Sequence, residues 1–275
     1  MGFAPSHEQF DSFREKEGRE IDAALTVGET TEEVEAKEVE ITYMIGETRI
    51  KVVMYEKPGS SLTFFNMHDN EDTAANAARD VVDSQGGRLI ELRHTGDRNL
   101  DFEIHGEVYT IDPNRMFTDV GAAASLRQKT ADYRGMTYKE EALRLIRNFA
   151  NGFIADFSLA SPERTLVAVH NNTDNRYSLK SYQDGGQYES DAELVFSRGG
   201  DLDDFFYVTD RAVFDYLKAA GMNVVLQDNS RMTDDGSLSV YCGQNGITYV
   251  NAEAQHGHLA QQKRMLEVIS SRPQP

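Results

Sequence analysis

A histidine and a glutamate three positions apart stand where an apolar run gives way to a helix-like segment. His68 and Glu71 follow the run FFNM, and a second histidine, His170, closes the later apolar run TLVAV. Two neutral imidazoles and one carboxylate suffice to hold a catalytic zinc ion, with water as the fourth ligand. A His-x-x-Glu pattern alone is a weak signal, because it is short enough to occur often by chance. Together with His170 it predicts one zinc ion, held by His68, Glu71 and His170.

An Asn-Arg pair in the segment DPNRMF is the candidate substrate anchor. Asn114 and Arg115 present an amide beside a forked guanidinium, a donor set that grips a carboxylate bidentately. The alternative interpretation is a plain turn, in which Pro113 and Asn114 are turn residues and Arg115 pairs with a surface acid. The pair is therefore a hypothesis that depends on where the chain places it.

Glu253, in the segment YVNAEA near the end of a late apolar strand, is the candidate general base. A carboxylate that faces water activated by zinc can take its proton during attack on a carbonyl. The alternative is a solvated glutamate on an edge strand, which is the default in so acidic a chain. The functional interpretation requires Glu253 to lie beside the zinc ligands.

These motifs, taken in order, resemble those of the zinc metallocarboxypeptidases and their relatives, the funnelin-type fold. The resemblance covers roughly residues 61 to 255. It implies the following roles: zinc ligands His68, Glu71 and His170; substrate-carboxylate binding by Asn114 and Arg115; and Glu253 as general base. This chain departs from the family pattern directly after His170, because Asn171-Asn172 stands where a Ser-Tyr pair is typical. That departure puts the usual contacts to an extended peptide in doubt.

Two further residues follow from the resemblance. The family uses an upstream arginine to stabilise the oxyanion, and Arg98, in HTGDRNLDF, is our candidate, with Arg93 as the runner-up. Arg98 would otherwise pair with a neighbouring aspartate in an exposed turn. The lid tyrosine of digestive carboxypeptidases has its nearest counterpart in Tyr241, in SVYCGQNG.

The resemblance implies a zinc-dependent hydrolase that cleaves an amide bond next to a free carboxylate, as a metallocarboxypeptidase acting on peptides. The expected substrate is a small peptide or an amino-acid conjugate. An alternative is an N-acyl amino acid deacylase, since the aspartoacylase and succinylglutamate desuccinylase group resembles the same motif order. A second alternative is a binding protein on the same fold without turnover. The presence of Glu253 argues against it, because a binder needs no general base.

Short apolar runs alternate with helix-like segments along the chain and must position these residues. Residues 39–57 are predicted to form a hairpin that turns at Gly46-Glu47. After it, strand-like and helix-like segments alternate along the chain. This pattern predicts a single α/β domain with a mixed, mostly parallel twisted sheet covered by helices on both faces. Residues 1–38 read as an acidic arm and residues 39–275 as the catalytic domain. Ligands of such sheets bind where strands end at their carboxyl edge, which is where the candidate residues fall.

The composition of the chain excludes several classes of partner and of site. The 275 residues carry a formal net charge of −18, which argues against a surface that tracks nucleic-acid phosphates. No segment approaches the length of a membrane span. With Cys242 as the one cysteine, an intramolecular disulfide and a thiolate metal cluster are excluded. The expected compartment is the cytoplasm as the sequence stands, or the periplasm or exterior if a leader was removed.

Overall fold

The computed structural model describes residues 20–22, 35–161 and 164–273. Its strands, in chain order, are β1 (Glu20–Asp22), β2 (Lys37–Ile45), β3 (Thr48–Lys57), β4 (Leu62–Asn66), β5 (Gly87–Arg93), β6 (Leu100–Ile104), β7 (Glu107–Ile111), β8 (Thr165–Asn172), β9 (Ala192–Phe196), β10 (Phe205–Val208), β11 (Val224–Gln227) and β12 (Tyr249–Gln255). Its helices are α1 (Asp72–Gln85), α2 (Asp119–Lys129), α3 (Lys139–Asp156), α4 (Arg211–Ala219), α5 (Leu238–Asn245) and α6 (Leu259–Ser270).

One large mixed sheet organises the described part of the chain. Its strand order is β1-β2-β3-β5-β4-β8-β12-β10-β11-β9, while β6 and β7 form a separate hairpin. Parallel pairing joins β5, β4, β8 and β12 in the centre and also β10 with β11. The remaining pairs are antiparallel. The carboxyl ends of the central parallel strands therefore meet at one edge.

Helices cover both faces of the sheet, as predicted. One core contains apolar side chains of α2, α3 and α5 together with the β6-β7 hairpin. The other contains those of α1, α4 and α6. The central strands are buried on both sides, which explains why β4 and β8 read as continuous apolar runs. The α/β prediction with a mixed sheet is confirmed.

Besides β1, four helices and strands of the described residues were not predicted: α2 and α5 carry little apolar periodicity, and β9 and β10 are short. Helix α2 buries Gly121, Ala122, Ser125 and Leu126, so its inner face is small and partly polar. Helix α5 and strands β9 and β10 are short, at 8, 5 and 4 residues. The predicted acidic arm, residues 1–38, lies largely outside the described residues, although β1 within it pairs with β2. Among the described helices, none combines the length and apolar character that crossing a bilayer requires.

Asp204, just before β10, provides a test of the stability of the fold. One of its carboxylate oxygens is buried without a hydrogen-bond partner among the described residues. Burial raises the pKa of Asp204 to about 6, and the nearby Asp201 carboxylate adds to the effect. The folded state thus holds a proton that the unfolded state has lost, so the free energy of unfolding falls as pH rises from about 4 to 6.

We expect Asp204→Asn to raise the free energy of unfolding by about 1 kcal/mol near neutral pH, a value discounted for the partial exposure of this side chain. Below about pH 4 the substitution should change little, because the carboxyl group is then protonated in both states. Denaturant unfolding of both proteins at the two pH values measures this difference. An equal effect at both would contradict the assignment.

Candidate active site

The turn from β4 into α1 positions His68 and Glu71. Asn66, the last residue of β4, fixes this turn through its side chain: its Nδ2 donates to the Glu71 carbonyl at 3.1 Å, and its Oδ1 accepts from the His68 amide at 3.2 Å. The Glu71 amide in turn donates to the His68 carbonyl at 3.0 Å. Both side chains are buried as a result.

The parallel strand β8 delivers His170 to the same point. His68 Nδ1 lies 2.9 Å from Glu71 Oε1, and His170 Nδ1 lies 2.9 Å from Glu71 Oε2. The two Nδ1 atoms are 3.2 Å apart. Each of the three buried side chains offers one donor atom, and these atoms lie within 4.8 Å of one another. The structure therefore brings the three predicted ligands together.

The donor set fits a zinc ion. Two imidazole nitrogens and one carboxylate are a typical set of protein ligands for catalytic zinc. The second ring nitrogen of His68, Nε2, lies 2.9 Å from Asp112 Oδ1. A carboxylate in that position fixes the tautomer and orientation of a metal-binding histidine, leaving Nδ1 free to coordinate.

Electrostatics keep the carboxylates of this cluster ionised. Burial alone would raise the pKa of Glu71, but His170 and His68 outweigh it and hold that pKa below its ordinary range. The pKa of Asp112 is likewise lowered: burial opposes ionisation, and the hydrogen bond to His68 overcomes it. Burial lowers the pKa of His68, yet Glu71 and Asp112 leave it above its usual value. Glu71 and Asp112 are therefore ionised at neutral pH, which is the form a carboxylate needs to bind a metal ion or to orient a metal-binding histidine.

Glu253 lies directly beside the cluster, on β12. In the parallel register it is paired with His170 of β8, and it is buried. Asn251 Nδ2 donates to Glu253 Oε1 at 3.0 Å and orients the carboxylate. Burial raises the pKa of Glu253, and the neighbouring Glu71 adds to this, while His170 opposes it. A carboxylate with a raised pKa is a stronger base than an ordinary glutamate.

Arg98 reaches the cluster from the loop between β5 and β6. Its Nη1 donates to Glu71 Oε1 at 2.5 Å, and its Nη2 lies 3.8 Å from Asp112 Oδ2. Asp69 holds the loop in place, because its Oδ2 accepts from the backbone amides of His94 and Gly96 at 2.7 and 2.8 Å. Of the two candidates for the oxyanion-stabilising arginine, the geometry thus favours Arg98.

Arg93, the runner-up, lies in a different environment. It pairs with Glu91 and comes within 3.7 Å of Asp69. It is not among the described residues that line the cavity, whereas Arg98 is.

Asn114 and Arg115 form a single 3-10 turn, Pro113–Arg115, directly after β7. Asp112 caps the turn by accepting from the Asn114 amide at 3.0 Å, so the same carboxylate touches His68 and the anchor. Arg115 Nη1 donates to the Asn114 carbonyl at 3.0 Å, and its Nη2 lies 3.3 Å from Asp235 Oδ2. Asp112 therefore connects this turn to His68.

One cavity of about 450 Å³ joins these parts. Among its lining residues are the predicted His68, Glu71, Arg98, Asn114, Arg115, His170 and Glu253. The tyrosines that line it are Tyr177, Tyr182, Tyr188, Tyr207 and Tyr249. The predicted Tyr241 is not one of them: it lies on α5, with its ring 6.4 Å from that of Phe117. Helix formation over 238–245 turns Tyr241 toward the α2, α3 and α5 core, so we withdraw it as a substrate-binding residue.

Sequence reasoning missed several residues of the site, and four of them show which signals were available. Asp112 stands two positions before Asn114, and its buried strand-end position was an available signal. Asn251 shares a strand face with Glu253, two positions away, which alternation in β12 could have indicated. Tyr177 and Asp235 lie in loops, and no local pattern distinguishes them from other polar loop residues.

Comparison with known proteins finds distant structural likeness. No family model matches the chain, and no curated protein matches it. Similar solved structures are a succinylglutamate desuccinylase/aspartoacylase from Rhodobacter sphaeroides, an aspartoacylase family protein from Mesorhizobium loti and a succinylglutamate desuccinylase from Silicibacter sp. TM1040.

Each of the three is 13% identical to this chain, with TM-scores of 0.42, 0.40 and 0.41 in the same order. The matches cover 85%, 87% and 90% of this chain and 63%, 69% and 69% of those chains. This chain thus spans 63% of the length of the Rhodobacter protein.

Proposed function

We propose that the protein is a zinc-dependent hydrolase that cleaves an amide bond in a molecule carrying a free carboxylate. The observation that supports this best is the content of one cavity. It holds three convergent metal donors, a buried glutamate beside them and an Asn-Arg pair connected to them through Asp112.

A zinc ion held by His68, Glu71 and His170 would supply Lewis acidity, polarising the amide carbonyl and lowering the pKa of a water molecule. Glu253 takes the proton of the attacking water and passes it to the leaving amine, for which its raised pKa is suited. Arg98 offers a guanidinium where negative charge develops on the carbonyl oxygen.

The remaining residues hold these groups in place. Asn114 and Arg115 bind the substrate carboxylate through an amide and a forked guanidinium. Asp112 keeps the imidazole of His68 oriented. Asn251 does the same for the carboxylate of Glu253.

Two substrate forms fit this proposal. A metallocarboxypeptidase acting on peptides is favoured by an open groove of about 1040 Å³ along β9, which shares Tyr182 with the cavity and could take an upstream peptide. An N-acyl amino acid deacylase is favoured by the cavity itself, whose volume lies within the range of small-molecule pockets. Parallel assays of blocked dipeptides and N-acyl amino acids on the zinc-loaded protein separate the two forms.

The free carboxylate is the testable requirement common to both forms. Converting it to a primary amide should lower kcat/KM by about a hundredfold or more, because the charge-assisted pairing with Arg115 is lost. In Arg115→Ala the acid and the amide should be cleaved at similar, low rates. Equal rates on acid and amide in the unsubstituted protein would contradict the anchor.

A further inference from the structure

Asp235 stands beside the anchor arginine in the cavity. Its Oδ2 lies 3.3 Å from Arg115 Nη2, and both residues line the cavity. The side chain of Arg115 is 34% exposed and that of Asp235 is 43% exposed. A substrate therefore meets a positive and a negative group side by side.

The loop that carries Asp235 is firmly docked. Asp235 Oδ1 accepts from the Ser237 amide at 2.9 Å, so its second oxygen is held toward Arg115. The Gly236 carbonyl accepts from the Phe117 amide at 3.0 Å. Gly121 of α2 approaches so closely that a Cβ on it would lie 2.0 Å from the Cα of Gly236. This fit fixes the spacing between Asp235 and the anchor.

The same loop orients Asn114. The Leu238 amide lies 3.3 Å from the Asn114 side chain, and because a backbone N–H can only donate, the atom facing it is Oδ1. The NH₂ group of Asn114 thus remains to donate to a ligand. Arg115 uses two of its five N–H groups on Asn114 and Asp235, which leaves donors for a carboxylate.

A bare carboxylate at Arg115 would be repelled by Asp235. The repulsion becomes attraction if the ligand carries a positive group next to its carboxylate, as a free α-amino acid centre does. Several tyrosines, among them Tyr177 and Tyr188, line the same cavity, and so does the carboxylate of Asp191. Aromatic rings and a carboxylate both suit an ammonium group.

We propose that Arg115 and Asp235 together bind a zwitterionic α-amino acid centre, with the carboxylate on Arg115 and the ammonium on Asp235. The inference rests on the proposed function for the reaction and names its substrate class. An amide nitrogen carries no positive charge, so the α-nitrogen of such a substrate is not acylated. The scissile amide is then on a side-chain amine, as in an Nε-acyl lysine. Of the two substrate forms proposed above, this selects a deacylase and excludes cleavage at the α-nitrogen of a C-terminal residue.

Binding tests the zwitterion site without turnover. Titration calorimetry on the zinc-loaded protein compares L-norleucine with hexanoate, which lacks the amino group. We expect norleucine to bind at least about tenfold more tightly, since an ion pair is gained. In Asp235→Asn the preference should fall to near unity, while hexanoate binding holds or tightens. The matched control Asp215→Asn removes an exposed aspartate of α4 and should keep the preference.

Several results would overturn this site. They are equal binding of the two ligands, binding of neither, or a preference that persists in Asp235→Asn. A persistent preference would mean that the amino group binds the metal as a neutral amine, or pairs with another group. A uniform loss of both ligands in Asp235→Asn would reduce Asp235 to a positioning residue for Arg115.

Kinetics separate this inference from the proposed function. Nε-acetyl-L-lysine and 6-acetamidohexanoate differ only in the α-amino group, which lies far from the scissile amide. We expect kcat/KM to favour the lysine derivative by about tenfold or more, an outcome that needs no variant. Similar cleavage of both contradicts the zwitterion site but leaves the hydrolase. Cleavage of no carboxylate-bearing amide, with the binding preference intact, contradicts the hydrolase but leaves the site.

Discussion

Glu253→Gln is expected to lower kcat by about a thousandfold or more, since general-base catalysis contributes roughly 10²–10⁴ and an amide cannot take the proton. Zinc content should stay the same, because Glu253 is not among the three donors. Steady-state kinetics beside metal analysis of the same preparation measures both. The variant also tests the alternative of a binding protein without turnover, because ligand binding by such a protein would not need a general base.

The pH profile follows from the same residue. Only the ionised carboxylate accepts a proton, and burial places the pKa of Glu253 above its ordinary value. The rate should therefore rise with pH through that raised pKa, and this limb should vanish from the residual activity of Glu253→Gln. Glu103→Gln, on the exposed face of β6, is the matched control. An unchanged rate in Glu253→Gln would remove the mechanism.

Arg98→Ala is expected to lower kcat by about 10²–10³, the usual effect of removing a donor to a developing oxyanion. The loss should fall on kcat more than on KM, because the interaction strengthens as charge forms on the carbonyl oxygen. Arg98→Lys should recover part of the rate, since it restores the charge without the fork.

Arg93→Ala supplies the matched control for Arg98. Arg93 ends β5, just before the loop that carries Arg98, but it pairs with Glu91. Its removal should change kcat by no more than a few fold. A large effect in Arg93→Ala with a small one in Arg98→Ala would reverse the assignment of the two arginines.

The sequence predicted the metal-binding candidates and the general base from their places at or near the ends of apolar strands, and it missed Tyr177 and Asp235, whose places depend on loops. His68, Glu71, His170 and Glu253 follow or end apolar strands, and parallel pairing of β4, β8 and β12 brings such positions together. The fold class followed from the same alternation of buried strands and amphipathic helices. These features depend on apolar runs and helical periodicity, which are short-range patterns visible in the sequence.

The parts that escaped prediction depend on contacts distant in sequence. Asp235 reaches Arg115 across 120 positions through a loop held by Gly121 and Gly236, and no periodic pattern marks such a contact. The prediction for Tyr241 treated its glycine-containing segment as a loop. That segment forms helix α5, which carries the ring away from the cavity. Helix α2 was not predicted, because its buried positions are mostly glycine, alanine and serine.

The most direct test of the central claim is the zinc content of the protein after loading and exhaustive dialysis, measured by mass spectrometry of the metal. We predict one zinc ion per chain, and none in His170→Ala, which removes one of three donors that lie within 4.8 Å of one another. The unsubstituted protein retaining no zinc, or His170→Ala retaining as much as the unsubstituted protein, would contradict the account.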